Sequence, residues 1–447
     1  MNNKKKIYLA LTLFLSVVLV FGIWFMFDNK ENTLNDDDNS NYYIAAFIDG
    51  ESSSTFPTSA NYITEVVCKK NNNTLLSINA TASWTGTKWK LSIKDAIYAN
   101  IYCNVNFITK TTWESPGEDT LLAAIKRDNT VGTPLTTPGR AKTADNEAVL
   151  ASAEDDYGTS YYFRGAVTNN YVQFANKCWR IVRVGGDGSV KLILHNDNTA
   201  GAANPCNSAN NSISAAFAHY HGDTYTSAFN TNKDDNTYVG FMYGTPGSST
   251  YAATHANTNK STILTNLENW YNNNLKTYES VIDNSVWCND KTNVTDTSYN
   301  PFNMSNVNGL GYAKNVTYYG ATQRLVSTSG SAGGTGPSLK CNGELSKITS
   351  KIGLITADEL ALAGYAGGEL NSTTYLQENA TDYWWWSLSP CVFRGVGARV
   401  WGVDGGRGGF VLDDVNSTDG VRPSISLKST TNVSGDGTSS SPYKIVS

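Results

Sequence analysis

The sequence predicts an α+β chain in which β-structure dominates and helices are few. Three observations carry that expectation. The chain of 447 residues is poor in charge, with charged residues at 16%, and rich in Asn, Thr, Ser, Gly and Tyr, with 11 Trp, a composition that suits strands and long ordered loops. Short stretches of alternating polarity recur, separated by Ser, Gly and Asn. Beyond the N-terminal apolar run, only a few segments carry a helical period.

The first element is a charge-free apolar run from Ile7 to Phe27. At 1.5 Å rise per residue, about 21 residues cross a hydrocarbon core of roughly 30 Å. Lys4, Lys5 and Lys6 precede it, and Asp28, Glu31, Asp36, Asp37 and Asp38 follow it. The positive-inside bias therefore keeps the short N-terminus in the cytoplasm and the remaining mass outside. The run ends in Trp24, Phe25, Met26 and Phe27 and not in the small residues of a cleavage site, so it reads as a signal-anchor over a cleaved signal peptide. Residues 1–30 are thus a cytoplasmic tip and transmembrane helix, with membrane contact through residues 7–27. Residues 31–41, acidic and Asn-rich, read as a stalk.

Residues 42–109 contain YIAAFI, YITEVV and KWKLSI, short alternating runs that predict a small β-sandwich-like module. Cys68 and Cys103 both fall inside it and are expected to pair. Residues 110–154 hold one short helical pattern, TLLAAIK, in Thr-, Pro- and Gly-rich sequence and read as a linker. A larger domain is expected over 155–447. Near its start CWRIVRV and SVKLIL are joined by GGDG, a hairpin signal. The segment Ser261 to Tyr278 places Ile263, Leu267, Trp270, Tyr271 and Leu275 on one helical face behind a capping Ser. Thr356 and Glu359 have the spacing of a capping box, which predicts a short helix to Ala363.

Seven cysteines outside the cytosol are expected to form disulfides, since none has the close spacing of a zinc site. Cys288 and Cys341 are the second expected pair. Cys178, Cys206 and Cys391 remain, and the odd count leaves one thiol free, with Cys391 the candidate. The net charge of −5 offers no footprint for nucleic acid; protein or glycan ligands are the expected partners. No nucleophile elbow, HExxH helix, phosphate loop or EF-hand spacing is present, so neither metal nor cofactor is expected. His219, His221 and Asp223 read as polar loop surface, and Tyr157, Tyr161, Tyr162 and Arg164 as a structural network. The aromatic, Asn-rich stretch after Asp235 reads as an ordered loop.

One window stands apart. Asn makes up 49 of the 447 residues, yet from Ala380 to Val415 neither Asn nor Lys occurs. From Cys391 to Asp414 every residue type except Trp401 can be encoded by a codon ending in C. Such codons result when both adenines of an AAC Asn codon are randomised, which suggests targeted variation.

The order GLITADELALAG, YWWWSLSP and GVRPSISLK resembles the C-terminal layout of C-type lectin-like domains of the formylglycine-generating-enzyme type. Longer stretches, such as DDYGTSYYFRGAVTNNYV and the terminal GDGTSSSPYKIV, are similar to surface proteins of low-GC Gram-positive bacteria. A C-type lectin-like domain diversified at adenines resembles the variable target protein of a diversity-generating retroelement. The resemblance implies twisted antiparallel strands, few helices, long ordered loops and a hypervariable ligand face within about 384–423. It implies scaffold positions at Trp384, Ser389, Pro390, Trp401, Gly420, Val421, Arg422 and Pro423. Ligand-facing positions would be Cys391, Val392, Phe393, Arg394, Val396, Arg399, Asp404, Arg407, Phe410, Asp413 and Asp414, with Trp401 placed among them as well as in the scaffold. Two other readings share the fold: a surface adhesin or structural surface protein without programmed variation, and a formylglycine-generating-type enzyme. Those enzymes carry a copper-binding cysteine pair near the C-terminus, where this chain has Cys391 alone, so no catalytic role is expected.

Overall fold

The computed structural model describes residues 42–446 apart from 60–61, 71–79, 94–100, 110–111, 221–222 and 381–382. The predicted anchor Ile7–Phe27 and the acidic stalk lie outside the described residues, as does His221. Among the described residues no helix is long and apolar enough to cross a membrane. The chain is mostly β-sheet with few helices and divides into two compact units, Met1–Lys110 and Thr111–Ser447.

The first unit contains β1 (Tyr42–Ile48), β2 (Glu51–Ser53), β3 (Tyr62–Lys70), β4 (Ala80–Trp84), β5 (Trp89–Ile93) and β6 (Ile101–Thr109). Four strands form one sheet in the order β2-β1-β6-β3, and β4 and β5 form a separate hairpin. In β6, alternate residues Ile101, Cys103, Val105 and Phe107 are buried, as the period of two along a strand requires when one face meets a core. The hairpin docks on this sheet, with the Thr64 hydroxyl donating to the Ala82 carbonyl at 2.8 Å. Trp89 packs edge-on against Phe107 at 5.3 Å. Cys68 and Cys103 face each other across β3 and β6 and are bonded.

The second unit begins earlier than the composition of residues 110–154 suggests. Helix α1 (Leu121–Asp128) is capped by the Thr120 side chain and buries Leu121, Leu122, Ala124 and Ile125 in the main core of this unit. β7 (Ala148–Asp155) pairs along its whole length with β8 (Gly158–Gly165). The expected linker is therefore part of the domain. Its Thr, Pro and Gly mark the turns between packed elements, and Leu121, Leu122, Ala124, Ile125 and Leu150 are core, while Val131 and Leu135 are exposed.

The hairpin read from CWRIVRV–GGDG–SVKLIL forms as β10 (Lys177–Val184) and β11 (Val190–Asn196). Its turn closes with the Gly185 N–H donating to the Ser189 carbonyl at 2.8 Å. Together with β9 (Tyr171–Phe174), β7 and β8 these strands belong to an eight-stranded sheet. Helix α2 (Thr262–Asn274) starts behind Ser261, whose side chain accepts from the Leu264 N–H, and buries Ile263, Leu267, Trp270 and Tyr271. Helix α3 (Ala357–Ala363) has both arms of the capping box between Thr356 and Glu359.

A second sheet carries the segment singled out above: β12 (Trp384–Phe393), β13 (Ala398–Asp404) and β14 (Gly409–Asp414), antiparallel in that order. The short strand Asp419–Gly420 lies on the far side of β12. The chain then returns to the first sheet, where β15 (Ser424–Leu427) pairs with β11. Cys288 is bonded to Cys341 and Cys178 to Cys206, which leaves Cys391 free and buried.

Candidate functional site

β14 is an edge strand, and the turns on either side of β13 project from opposite ends of the same hairpin pair. A seven-residue strand spans roughly 20 Å at about 3.3 Å per residue, which sets the separation of the two turns. In the first turn the Arg394 N–H donates to the Gly397 carbonyl at 3.0 Å, and Gly395 supplies the positive φ of 85°. Arg394 is exposed and Val396 is 77% exposed, unusual for an aliphatic side chain. In the second turn the Asp404 carbonyl accepts from the Arg407 and Gly408 N–H groups, and its carboxylate accepts from the Gly406 N–H at 3.0 Å. Arg407 is exposed there. Gly408 has φ 71°, and a Cβ at that position would lie 2.0 Å from the Asn371 carbonyl oxygen, so only glycine fits.

Between the turns, alternation along the strands divides the side chains over two faces. Arg399, Trp401 and Val403 share a face with their partners Asp414, Leu412 and Phe410, while Val400, Gly402 and Asp404 share the other with Asp413, Val411 and Gly409. Arg399, Asp404, Phe410, Asp413 and Asp414 are half-buried. The Arg399 guanidinium donates to the Asp414 carboxylate at 2.6 Å, and the Lys233 ammonium reaches the other oxygen of that carboxylate at 2.5 Å. Burial works to raise the Asp414 pKa, but the two cations outweigh it and hold the carboxyl below its ordinary range. Asp419 has the opposite balance. Burial, and then the neighbouring charge of Asp413, push its pKa up to about 7.

Four of the expected ligand-facing residues cannot serve that role. Cys391, Val392 and Phe393 are fully buried and Trp401 is 4% exposed. The reason is that β12 is covered on both faces. Trp386 and Phe393 sit in the main core, while Cys391, Val392 and Trp401 form a second cluster with Tyr318, Ala357 and Ala361. The Thr322 hydroxyl donates to the Cys391 carbonyl at 2.7 Å and accepts from the Trp401 indole N–H at 3.2 Å. Burial pushes the Cys391 thiol up to about 12, so it stays protonated and unreactive. Phe410 packs against Trp401 at 5.6 Å and Tyr365 at 5.8 Å, leaving part of its ring at the surface. Arg394, Val396, Arg399, Asp404, Arg407, Phe410, Asp413 and Asp414 therefore remain, in the two turns and on both faces of the edge pair between them.

Two neighbours of these residues were not among the expected ligand-facing ones: Lys233, from a distant loop with no local sequence signal, and Trp384, expected in the scaffold but 42% exposed and opposite Asp404 in register. No spacing rule links Lys233 to Asp414.

A cleft elsewhere in this unit is lined by a dense ionic network. Glu359 bridges Arg183 at 2.9 Å and Lys191 at 2.6 Å. Arg324 bridges Asp290 and Asp358, each at 2.7 Å. Burial would raise the Glu359 pKa, but Lys191 and Arg183 bring it down to about 2. These paired charges fix the N-terminus of α3 against β10 and β11. Among the described residues no group of three or more His, Cys, Asp and Glu could hold a metal ion.

Comparison of the chain with protein-family models, with curated proteins and with solved structures finds no match.

Proposed function

We propose that this chain is a surface-displayed binding protein whose second unit is a C-type lectin-like domain, with a ligand face diversified by a retroelement. Under this reading the predicted helix over residues 7–27 anchors it in the membrane and the stalk and β-module hold the face outside the cell. Three disulfides support an oxidising, extracytoplasmic setting.

The observation that carries the reading is how residues divide within the Asn- and Lys-free window. Arg394, Val396 and Arg407 lie at solvent in glycine-bearing turns, while Trp385, Trp386 and Trp401, on the strands that these turns join, are buried. Turns held on strands with a packed aromatic core present their side chains with little entropy left to lose on binding. The ligand class is a protein or a glycan. The enzyme reading is weaker, because the lone cysteine of this region is buried and protonated.

One observation favours the second reading, an adhesin without programmed variation. Cys391, Val392 and Phe393 fall in the window yet are core, where random replacement is costly. The gene separates the two. On the first reading, the codons for Arg394, Val396, Arg399, Asp404, Arg407 and Asp413 end in C and match a nearby near-repeat that differs at adenines beside a reverse transcriptase gene. A locus with no such repeat overturns it.

A further inference from the structure

Lys291 is fully buried and no carboxylate pairs with it among the described residues. Its ammonium nitrogen has two neutral partners, the Met242 carbonyl at 2.9 Å and the Asn257 side-chain Oδ1 at 2.6 Å. A buried ammonium without a counter-charge is costly, and the usual relief is loss of the proton. Burial lowers this lysine to about 7, so near neutral pH a large share of it is free amine. Nearby His255, itself buried, is held neutral by burial and by the Lys291 charge, with its pKa lowered to about 3.

The amine is thus hydrogen-bonded to a carboxamide oxygen, and it becomes a nucleophile toward that group when Nζ turns its lone pair from this donor geometry to Cγ. With a C=O length of about 1.2 Å, Nζ lies no more than about 3.8 Å from Asn257 Cγ, close to the separation of a near-attack geometry. The carboxamide is also oriented, because its Nδ2 donates to the Lys347 carbonyl at 3.2 Å. Tyr251, whose hydroxyl donates to the Lys291 carbonyl at 2.8 Å, ties the helical turn before Asn257 to the lysine's backbone. Fixing both partners in this way replaces a slow bimolecular aminolysis by an intramolecular one, for which effective molarities reach about 10⁵ M or more.

We propose that Lys291 and Asn257 are a covalent modification site, joined in the folded chain by an isopeptide bond between Nζ and Cγ. The Nζ–Cγ bond forms, the Cγ–Nδ2 bond breaks, one Nζ proton moves to Nδ2, and ammonia leaves. No oxidant or reductant is involved. The bond ties the segment after the short helix Tyr251–Thr254 to the segment after Cys288, and so closes a second loop beside the Cys288–Cys341 disulfide.

The test is mass spectrometry of the folded, purified protein with its disulfides intact. The expected mass is lower than that of the disulfide-bonded sequence by one ammonia, and digestion yields one branched peptide containing both Asn257 and Lys291. Lys291→Met and Asn257→Ala each restore the lost ammonia. A full-mass protein with Lys291 recovered as free amine overturns the proposal. So does a mass deficit that persists in Lys291→Met, because a succinimide formed at an Asn loses the same ammonia without the lysine.

Discussion

The ammonium of Lys233 sits 2.5 Å from the carboxylate of Asp414, and the Lys233 carbonyl accepts from the Ala398 N–H at 2.7 Å. One residue of a distant loop therefore holds both the edge strand β14 and the start of β13. Lys233→Ala should cost little global stability, about 0.5 kcal/mol, because the pair is partly exposed. Its effect should appear locally as faster amide hydrogen exchange over residues 398–414. Unchanged exchange there would show that the ion pair does not order these strands.

Burial of Cys391 predicts chemical silence. Native protein should not react with iodoacetamide on a scale of hours at pH 8, and one thiol should become reactive on unfolding. Cys391→Ala should be tolerated at a cost of about 1–2 kcal/mol, mainly from the small cavity left beside Trp401 and Tyr318. Rapid native labelling would place the thiol at the surface.

The exposed turn residues and the buried ring of Trp401 should respond differently to substitution. Val396→Lys should leave thermal stability within about 0.5 kcal/mol of the parent, as an exposed turn residue does. Trp401→Ala removes a buried ring and an indole hydrogen bond and should cost about 3–5 kcal/mol. Gly408→Ala should also be strongly destabilising, since its Cβ would meet the Asn371 carbonyl oxygen. Urea unfolding of the three variants checks the order.

The two shifted carboxylates predict opposite pH behaviour. Asp419 has a folded pKa of about 7, above its ordinary 3.8, so the folded state holds the proton more tightly. Its contribution to stability is full below about pH 4 and is lost as pH rises through about 7. Asp419→Asn should flatten that decline. Glu359 has a folded pKa of about 2, below its ordinary 4.5, so its contribution is present above about pH 4.5 and is lost as pH falls through about 2. Glu359→Gln leaves Arg183 and Lys191 short of a buried partner and should cost about 3–5 kcal/mol at pH 7. Denaturant titrations across pH 2–8 resolve both effects.

Much of the local structure was legible in the residues themselves. The GGDG hairpin, the helix behind Ser261 and the capping box at Thr356 follow from short-range signals, turn chemistry or a cap three residues from its donor, whereas the expected pairs Cys68–Cys103 and Cys288–Cys341 join residues 35 and 53 positions apart and rest on no such signal. The candidate ligand face was legible in part. Arg394, Val396 and Arg407, named with the rest of the window from its composition and its resemblance, are exposed, whereas Cys391, Val392, Phe393 and Trp401 are buried: a strand's own sequence does not say how many of its faces are covered.

What only the tertiary structure decided has that same origin. Helix α1, within the expected linker, is core because it meets strands that lie far from it in sequence. Cys178 chooses Cys206 over Cys391 because β12 carries Cys391 into a different cluster. Lys233 reaches Asp414, and Lys291 reaches Asn257, through loop paths that no periodicity encodes. Backbone propensity and capping act over a few residues and so can be read along the chain. Burial and ion pairing depend on which distant surfaces exclude water together, and that is settled only when the whole unit has packed.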